Sequence, residues 1–268
     1  MKKFLVYSGY GTSEHCLKEL VAFLEQKCCP YELVTAREIR SNWLDNNPRA
    51  ILCFGGGFDL GFLSSLDQEG CSNIKKFVKL GGTYLGICAG AYFACKQIEF
   101  DLDGPLEVKG QRLGFFDGTA KGPVNRKFAY NCEDHSMAAR LRSSNGEQVY
   151  GYLNGGPYFE PSSSSFHTLL TYCDQKNGQD MLKCDGKVAV LETRFGMGKC
   201  VLSGVHFEFG AESLDLGNQN LNRARWTAND VPIIFLSFKT LIALERLHLT
   251  HQAPKAPSSL KSVLCNKV

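Results

Sequence analysis

The stretch GICAGA, residues 86–91, places Cys88 directly behind a short apolar run, Thr83–Ile87, and in front of a helical sequence. This order predicts a buried strand, a sharp turn and a helix, with the cysteine at the turn. A nucleophile elbow needs small residues on both sides of its nucleophile, because the chain doubles back there. The first N–H groups of the helix would point at the sulfur and favour its thiolate form. The alternative is a structural cysteine in a glycine-rich turn, since the chain has twelve cysteines.

The sequence before this turn alternates between strand and helix signals. The apolar runs Lys3–Tyr7 and Ala50–Phe54 predict two further buried strands. Helical faces lie between the strands: one is formed by Leu17, Leu20, Val21 and Leu24, and another by Ile74, Phe77 and Val78 before Gly81-Gly82. Parallel neighbours need crossover connections, so this alternation predicts a parallel sheet covered on both faces. We therefore predict an α/β fold with a flavodoxin-like, doubly wound, mostly parallel sheet.

The pattern changes after the first half of the chain. Residues 101–166 are rich in Gly, Pro, Asn and aromatics, which predicts an inserted region of strands and loops laid against the core. Val188–Thr193 and Lys199–Val205 predict a hairpin, because the glycines between them tolerate a tight turn. Residues 229–242 predict a last helix. We predict one domain over residues 1–250 and a flexible tail over residues 251–268.

A second segment with chemical potential is SGVHFE, residues 203–208. His206 and Glu208 are two residues apart, so on an extended chain they point to the same side. A nucleophilic thiol needs a base within hydrogen-bond reach and a third group that orients the base. Alone, a His-x-Glu triplet is a common chance occurrence. At a predicted strand end and together with the elbow, it predicts a Cys88, His206 and Glu208 triad.

The glycine run 55–57 ends another predicted core strand. In a doubly wound sheet it would lie beside the elbow, because sites gather at the carboxyl ends of the strands. The N–H groups of Gly56 and Ala89 could then form an oxyanion hole, although the same glycines could equally make only a turn. The motifs of phosphate-binding and dinucleotide-binding loops are absent. No cluster has metal-ligand spacing, and we expect no metal and no cofactor.

The composition restricts the partners and the compartment. Thirty basic and 27 acidic residues give a net charge of +3, which does not call for a nucleic acid. No apolar run approaches the roughly 18 residues of a membrane span. Twelve cysteines without CxxC pairs or a secretory signal indicate a reducing compartment, and we expect the cytoplasm. The remaining histidines, including His15, are expected to have surface or satisfied roles.

Taken together, these motifs resemble a known family. Class I glutamine amidotransferase domains have the same order of motifs. In that order a strand is followed by GGG, a later strand is followed by GICAG and a helix, and GVHFE comes near the end. More specifically, five segments resemble the amidotransferase-like N-terminal domain of eukaryotic-type biotin–protein ligases. They are VYSGYGT (6–12), FGGGFDL (54–60), GICAGAYF (86–93), YLNGG (152–156) and LSGVHFE (202–208). The resemblance covers nearly the whole chain to about Leu249.

The resemblance implies the flavodoxin-like fold and the triad, but no settled substrate. Within the matching segments we assign a substrate pocket to Gly57, Asp59, Tyr92, Asn154 and Gly155. Many glutaminases of this class carry a Gln four residues after the nucleophile, where this chain has Tyr92. The glutaminases of pyridoxal phosphate synthesis also resemble this elbow and lack that Gln. Glutamine therefore remains open as a substrate.

Two functions follow as expectations. The first is a thiol hydrolase or amidotransferase-like enzyme that attacks the carbonyl of a small-molecule or peptide amide. The alternative is a non-catalytic binding or regulatory module that acts on biotin–protein ligation in trans. A biotin–protein ligase or a synthase is the expected partner. The chain has no Gly/Arg-rich biotinyl-adenylate loop, so we expect no ligase activity of its own.

Overall fold

The computed structural model describes residues 2–41, 43–163, 165–173 and 182–209. Within these residues, thirteen strands form one sheet and helices cover it. The predicted last helix and the predicted tail, residues 229–242 and 251–268, lie outside the described residues.

The strands and helices have the following bounds. The strands are β1 (Phe4–Tyr7), β2 (Tyr31–Val34), β3 (Ile51–Phe54), β4 (Thr83–Ile87), β5 (Cys95–Phe100), β6 (Val108–Gln111), β7 (Phe116–Gly122), β8 (Met137–Ser143), β9 (Gln148–Leu153), β10 (Tyr158–Pro161), β11 (Phe166–Tyr172), β12 (Val188–Phe195) and β13 (Gly198–Ser203). The helices are α1 (Glu14–Gln26), α2 (Ala36–Arg40), α3 (Asp59–Lys79) and α4 (Ala89–Ala94), with a 3₁₀ turn at Trp43–Asn46.

The strands β2-β1-β3-β4-β13 lie side by side in that order and are all parallel. We call these five strands and their helices the parallel half. β13 joins β4 with Ser203 opposite Ile87, so the segments after both strands leave the sheet at the same edge. The predicted α/β fold with a parallel core is confirmed, and the carboxyl ends of β3, β4 and β13 are neighbours.

Both faces of the parallel half are covered. Val6 of β1 belongs to the same apolar cluster as Leu20 of α1. On the opposite face, the ring of Tyr7 packs against Phe62 of α3, with centroids 5.5 Å apart. Consecutive strand residues point to opposite faces, so α1 and α3 lie on different sides of the sheet, as the predicted crossovers require.

The remaining strands, β5 to β12, form a second half that is mostly antiparallel. The predicted hairpin is β12 and β13, joined by a two-residue turn in which Gly196 has φ 60°. Its second strand ends at Ser203 rather than at the predicted Val205. The inserted region was predicted to lie against the core. Instead, β10 pairs with β12 and β7 pairs with β10, so these strands extend the same sheet.

Candidate active site

Cys88 occupies the turn between β4 and α4 with a strained backbone. Its φ of 51° and ψ of −106° lie in a region that non-glycine residues rarely adopt. The Cys88 N–H donates to the carbonyl of Ser203 in β13, at 2.9 Å. A Cβ at Gly90 would lie 2.0 Å from the Phe54 carbonyl oxygen, and one at Gly86 would lie 2.5 Å from the Gly90 oxygen. The turn therefore needs glycine on both sides of the cysteine.

His206 and Glu208 follow β13 at the neighbouring strand end. The backbone of His206 pairs with Tyr152, donating at 2.8 Å and accepting at 3.2 Å, which fixes the position of its ring. Nδ1 of His206 and Oε1 of Glu208 are 2.6 Å apart, and both residues are buried. The other Glu208 oxygen, Oε2, is buried and has no hydrogen-bond partner among the described residues. Glu208 is thus committed to orienting the imidazole.

The charge state of His206 follows from its neighbours. Burial alone would lower its pKa, but the carboxylate of Glu208 raises it, and Cys16 and Cys88 add to that effect. The net result is a pKa of His206 well above its usual value. A side-chain hydrogen bond with Cys88 also raises this pKa, and both residues line the same cavity. An imidazolium beside a cysteine sulfur is the starting arrangement of a thiol nucleophile.

The glycine loop after β3 lies against this pair. A Cβ at Gly56 would be 2.8 Å from Cε1 of His206, so only glycine lets the loop approach the ring this closely. The Gly90 N–H donates to the Gly55 carbonyl at 3.1 Å, and the Ser13 N–H donates to the Gly56 carbonyl at 3.0 Å. No described residue accepts a hydrogen bond from the N–H groups of Gly56 or Ala89. Both donors are therefore available to a ligand.

A cavity of about 580 Å³ opens in front of these residues. Cys88, His206, Gly56 and Ala89 line it, while Glu208 lies behind His206. All five residues assigned to the substrate pocket also line it, namely Gly57, Asp59, Tyr92, Asn154 and Gly155. The structure therefore brings together the residues that the sequence singled out.

The polar residues of the pocket differ in whether their hydrogen-bonding groups already have partners in the protein. Asp59 accepts from Nε of Arg112 at 2.5 Å, and the Tyr92 hydroxyl donates to the Gly155 carbonyl at 3.1 Å. Burial raises the pKa of Tyr92 well above its usual value, so its phenol stays protonated. Asn154 donates through Nδ2 to a backbone carbonyl at 3.0 Å, but its Oδ1 has no partner among the described residues. Asn154 therefore offers an uncommitted acceptor.

Sequence reasoning missed Cys16 and the position of His15, both in the first turn of α1. The Cys16 sulfur would lie 2.6 Å from a Cβ at Gly56, next to the His206 ring, and burial raises its pKa to about 11. His15 is exposed, as expected, but it lines the cavity and its ring stacks on Phe209 at 5.2 Å. Their position in the sequence could have predicted this placement. The helix α1 follows β1, so its first turn lies at the edge of the sheet where the parallel strands end.

The described residues contain no disulfide, no metal-binding cluster and no helix that could span a membrane. Every cysteine among them is a free thiol. They contain no group of three or more His, Cys, Asp or Glu residues that could hold a metal ion. None of the helices they form combines the length and apolar character that crossing a membrane requires.

Comparisons with known proteins identify the family and agree with the fold. The family model described as "Biotin-protein ligase, N terminal" matches residues 2–259. The chain is 34% identical over 218 residues to a biotin–protein ligase of Schizosaccharomyces pombe, covering 78% of this chain and 33% of the ligase. It is 33% identical over 235 residues to an uncharacterized protein of Chlamydia muridarum, covering 84% of this chain and 87% of that protein.

Solved structures match at the level of the fold. A glutamine amidotransferase superposes with a TM-score of 0.52 at 18% identity, covering 76% of this chain and 90% of the other. A candidate GMP synthase component of Thermoplasma acidophilum gives 0.51 at 13% identity, covering 93% and 98%. With this amidotransferase-like fold, and with a family model that matches nearly its whole length, the chain belongs to the family of biotin–protein ligase N-terminal domains.

Proposed function

We propose that this chain is a thiol-dependent hydrolase or amidotransferase-like enzyme in which Cys88, His206 and Glu208 act on an amide-type carbonyl. The observation that carries the proposal is the buried His206–Glu208 pair, 2.6 Å apart, beside a cysteine held in a strained turn. Strained, positive-φ residues persist where the surroundings fix them, and they concentrate at active sites. The proposal takes residues 1–250 as one catalytic domain that works in the cytoplasm.

The proposed reaction has two steps. The Cys88 sulfur attacks the amide carbon, and the carbonyl oxygen gains negative charge next to the N–H groups of Gly56 and Ala89. As the C–N bond breaks, His206 gives its proton to the leaving amine and a thioester remains on Cys88. His206 then takes a proton from water, which attacks the thioester and releases the acid. Glu208 stabilises the imidazolium in the first step by its bond to Nδ1.

Limited alkylation tests the nucleophile with a built-in control. Cys16 lines the same cavity, but with a pKa of about 11 it is almost wholly protonated at neutral pH. We expect iodoacetamide to modify Cys88 first, as mapped by mass spectrometry, and Cys88→Ala to abolish release of amine from a panel of amide and thioester probes. Preferential labelling of Cys16, with Cys88 inert in the folded chain, would contradict the proposal.

A second candidate function is a non-catalytic regulator of biotin–protein ligation. It is favoured by the fission yeast relative, a biotin–protein ligase of whose length this chain covers 33%. The discriminating experiment adds the wild-type chain or Cys88→Ala to a biotin–protein ligase and measures biotin transfer to its acceptor. An equal effect of both forms supports the regulator. An effect that requires Cys88 supports the enzyme.

A further inference from the structure

Four aromatic side chains form one continuous wall of the cavity. We call Tyr92, Phe100, Phe128 and Tyr130 the aromatic wall. Their ring centroids are separated by 5.6 Å (Tyr92–Phe100), 5.7 Å (Phe100–Phe128) and 4.9 Å (Phe128–Tyr130), and all three contacts are edge-to-face. Edge-to-face packing at these distances is a favourable arrangement for aromatic side chains. The wall is therefore a single packed surface rather than four separate rings.

The wall is held in place from behind. A Cβ at Gly155 would lie 2.7 Å from the Phe128 ring, so this glycine lets Phe128 pack directly on the backbone that accepts the Tyr92 hydroxyl. Burial is the main cause that raises the pKa of Tyr130, to about 12. Tyr130 is therefore a neutral phenol close to the nucleophile. The wall is thus an aromatic surface of the same cavity that Cys88 lines.

The chemistry of the triad determines which part of a substrate meets this wall. His206 protonates the leaving amine, so the amine must lie on the His206 side of Cys88. That side carries a different aromatic pair, Tyr152 and Phe209, stacked at 4.3 Å, with Phe209 5.1 Å from the His206 ring. Tyr92 is on α4, one turn beyond Cys88, and begins the aromatic wall. The acyl group is consequently directed to the wall.

From this division of the cavity we propose that the substrate amide carries a bulky, apolar, ring-bearing acyl group that packs on the aromatic wall. The inference rests on the proposed function and specifies its substrate class. A γ-glutamyl group would instead bring its charged carboxylate against the rings, and the four side chains of the wall offer that carboxylate no cationic partner. The reaction releases the acyl group as an apolar carboxylic acid and the leaving group as a free amine.

Three 4-nitroanilides with the same leaving group test this assignment. Their acyl groups are 3-phenylpropanoyl, acetyl and γ-glutamyl, and released 4-nitroaniline is measured by absorbance. We expect kcat/KM for the 3-phenylpropanoyl substrate to exceed that of the other two by about 30-fold or more, since single methylenes in apolar pockets already give about tenfold. Equal or faster turnover of the γ-glutamyl substrate, dependent on Cys88, would overturn the inference and leave the proposed function intact.

Phe128→Ala and Phe166→Ala form a matched pair of variants. Both phenylalanines are partly buried and pack edge-to-face on other rings. Phe128 contacts Phe100 at 5.7 Å and Tyr130 at 4.9 Å in the cavity, whereas Phe166 contacts Phe116 at 5.5 Å outside it. We expect Phe128→Ala to lower the preference for 3-phenylpropanoyl over acetyl by about tenfold, measured as the ratio of the two kcat/KM values. Phe166→Ala should keep the wild-type preference. An unchanged preference in Phe128→Ala would contradict the assigned acyl site.

A binding measurement separates this inference from the proposed function. Calorimetry on Cys88→Ala compares 3-phenylpropanamide with glutamine, and the same titrations are repeated on Cys88→Ala with Phe128→Ala. Phe128-dependent binding of 3-phenylpropanamide alone, with no turnover by the wild type, would retain the apolar acyl site and refute the enzyme. Binding of glutamine in preference to 3-phenylpropanamide would refute the acyl site, whatever the turnover.

Discussion

The two halves of the sheet contribute different kinds of residue to the cavity. The parallel half contributes Gly56, Cys88 and His206, each just after the carboxyl end of a strand. The second half contributes most of the aromatic wall, from the end of β5 and from the segment between β7 and β8. In the proposed reaction, backbone geometry therefore fixes the reacting atoms in one half, while side-chain packing shapes the proposed acyl site in the other.

From this contrast we expect substitutions in the parallel half to change the turnover rate, and substitutions in the second half to change the selectivity among substrates. Strand ends in the parallel half are held by ladder hydrogen bonds and close backbone contacts, so damage there should slow every substrate. In the proposed acyl site the rings of the second half contact the acyl group, so changes there should alter the preference among substrates. Substitutions in each half can test that separation, and the largest effect is expected at Glu208.

Glu208→Gln should lower turnover of every substrate by about 10²- to 10⁴-fold, because the imidazolium loses its charged partner. The Glu208 carboxylate raises the pKa of His206, so its loss should lower that pKa and move the alkaline limb of the pH–rate profile to lower pH. Steady-state rates between acid and alkaline pH measure both effects. Glu69→Gln, an exposed change on α3, serves as the control. Unchanged turnover would remove Glu208 from the triad.

Gly56→Ala and Gly55→Ala should differ sharply, although they are neighbours in one loop. A Cβ at Gly56 would lie 2.6 Å from the Cys16 sulfur and 2.8 Å from Cε1 of His206, whereas one at Gly55 would meet only Leu20 at 3.8 Å. We expect Gly56→Ala to lose about 10²-fold in kcat for all substrates, because the ring and the loop must move apart. Gly55→Ala should remain near the wild-type rate. Similar rates in the two variants would show that the loop does not act on the reaction.

Two buried phenols of the parallel half each donate to a glycine carbonyl, and of these carbonyls one lies in each half. The Tyr84 hydroxyl donates to Gly90 in the elbow at 2.8 Å, and the Tyr92 hydroxyl donates to Gly155 at 3.1 Å. Each Tyr→Phe change should lower the free energy of unfolding by about 1 kcal/mol, measured by urea denaturation. Tyr84→Phe should slow all substrates a few-fold, whereas Tyr92→Phe should change the ratio between acyl groups. The reverse pattern would break the proposed separation of the halves.

The secondary structure of the parallel half could be predicted from local sequence patterns. The run Thr83–Ile87 is β4 as predicted, and α3 ends before Gly81, whose φ of 112° suits glycine. Apolar runs and glycine stops are local signals, so the alternation of strands and helices could be inferred without knowing any contact. The elbow and the His-x-Glu triplet could likewise be placed at strand ends. The 2.6 Å contact between His206 and Glu208 required coordinates.

The arrangement of the second half was harder to predict from the sequence, because its contacts join residues that are far apart in the chain. Phe100, Phe128 and Tyr130 are separated in sequence and meet only after β5 pairs with β7. No helical or strand periodicity in the sequence indicates that these three rings form one surface. Cys16 was missed for another reason: helical periodicity identifies the apolar face of α1, but it does not say which side chains of the first turn reach a neighbouring loop.

The hydrogen bond between the Gly90 N–H and the Gly55 carbonyl orients the glycine loop before a substrate binds. The Gly55 carbonyl and the Gly56 N–H belong to one planar peptide unit, so holding the first fixes the direction of the second. In the proposed mechanism, the direction of the Gly56 donor is then set before any substrate arrives, and no reorganisation of the loop is added to the barrier when charge develops. Progress curves should accordingly be linear from the first turnover, with no lag that an added protein removes.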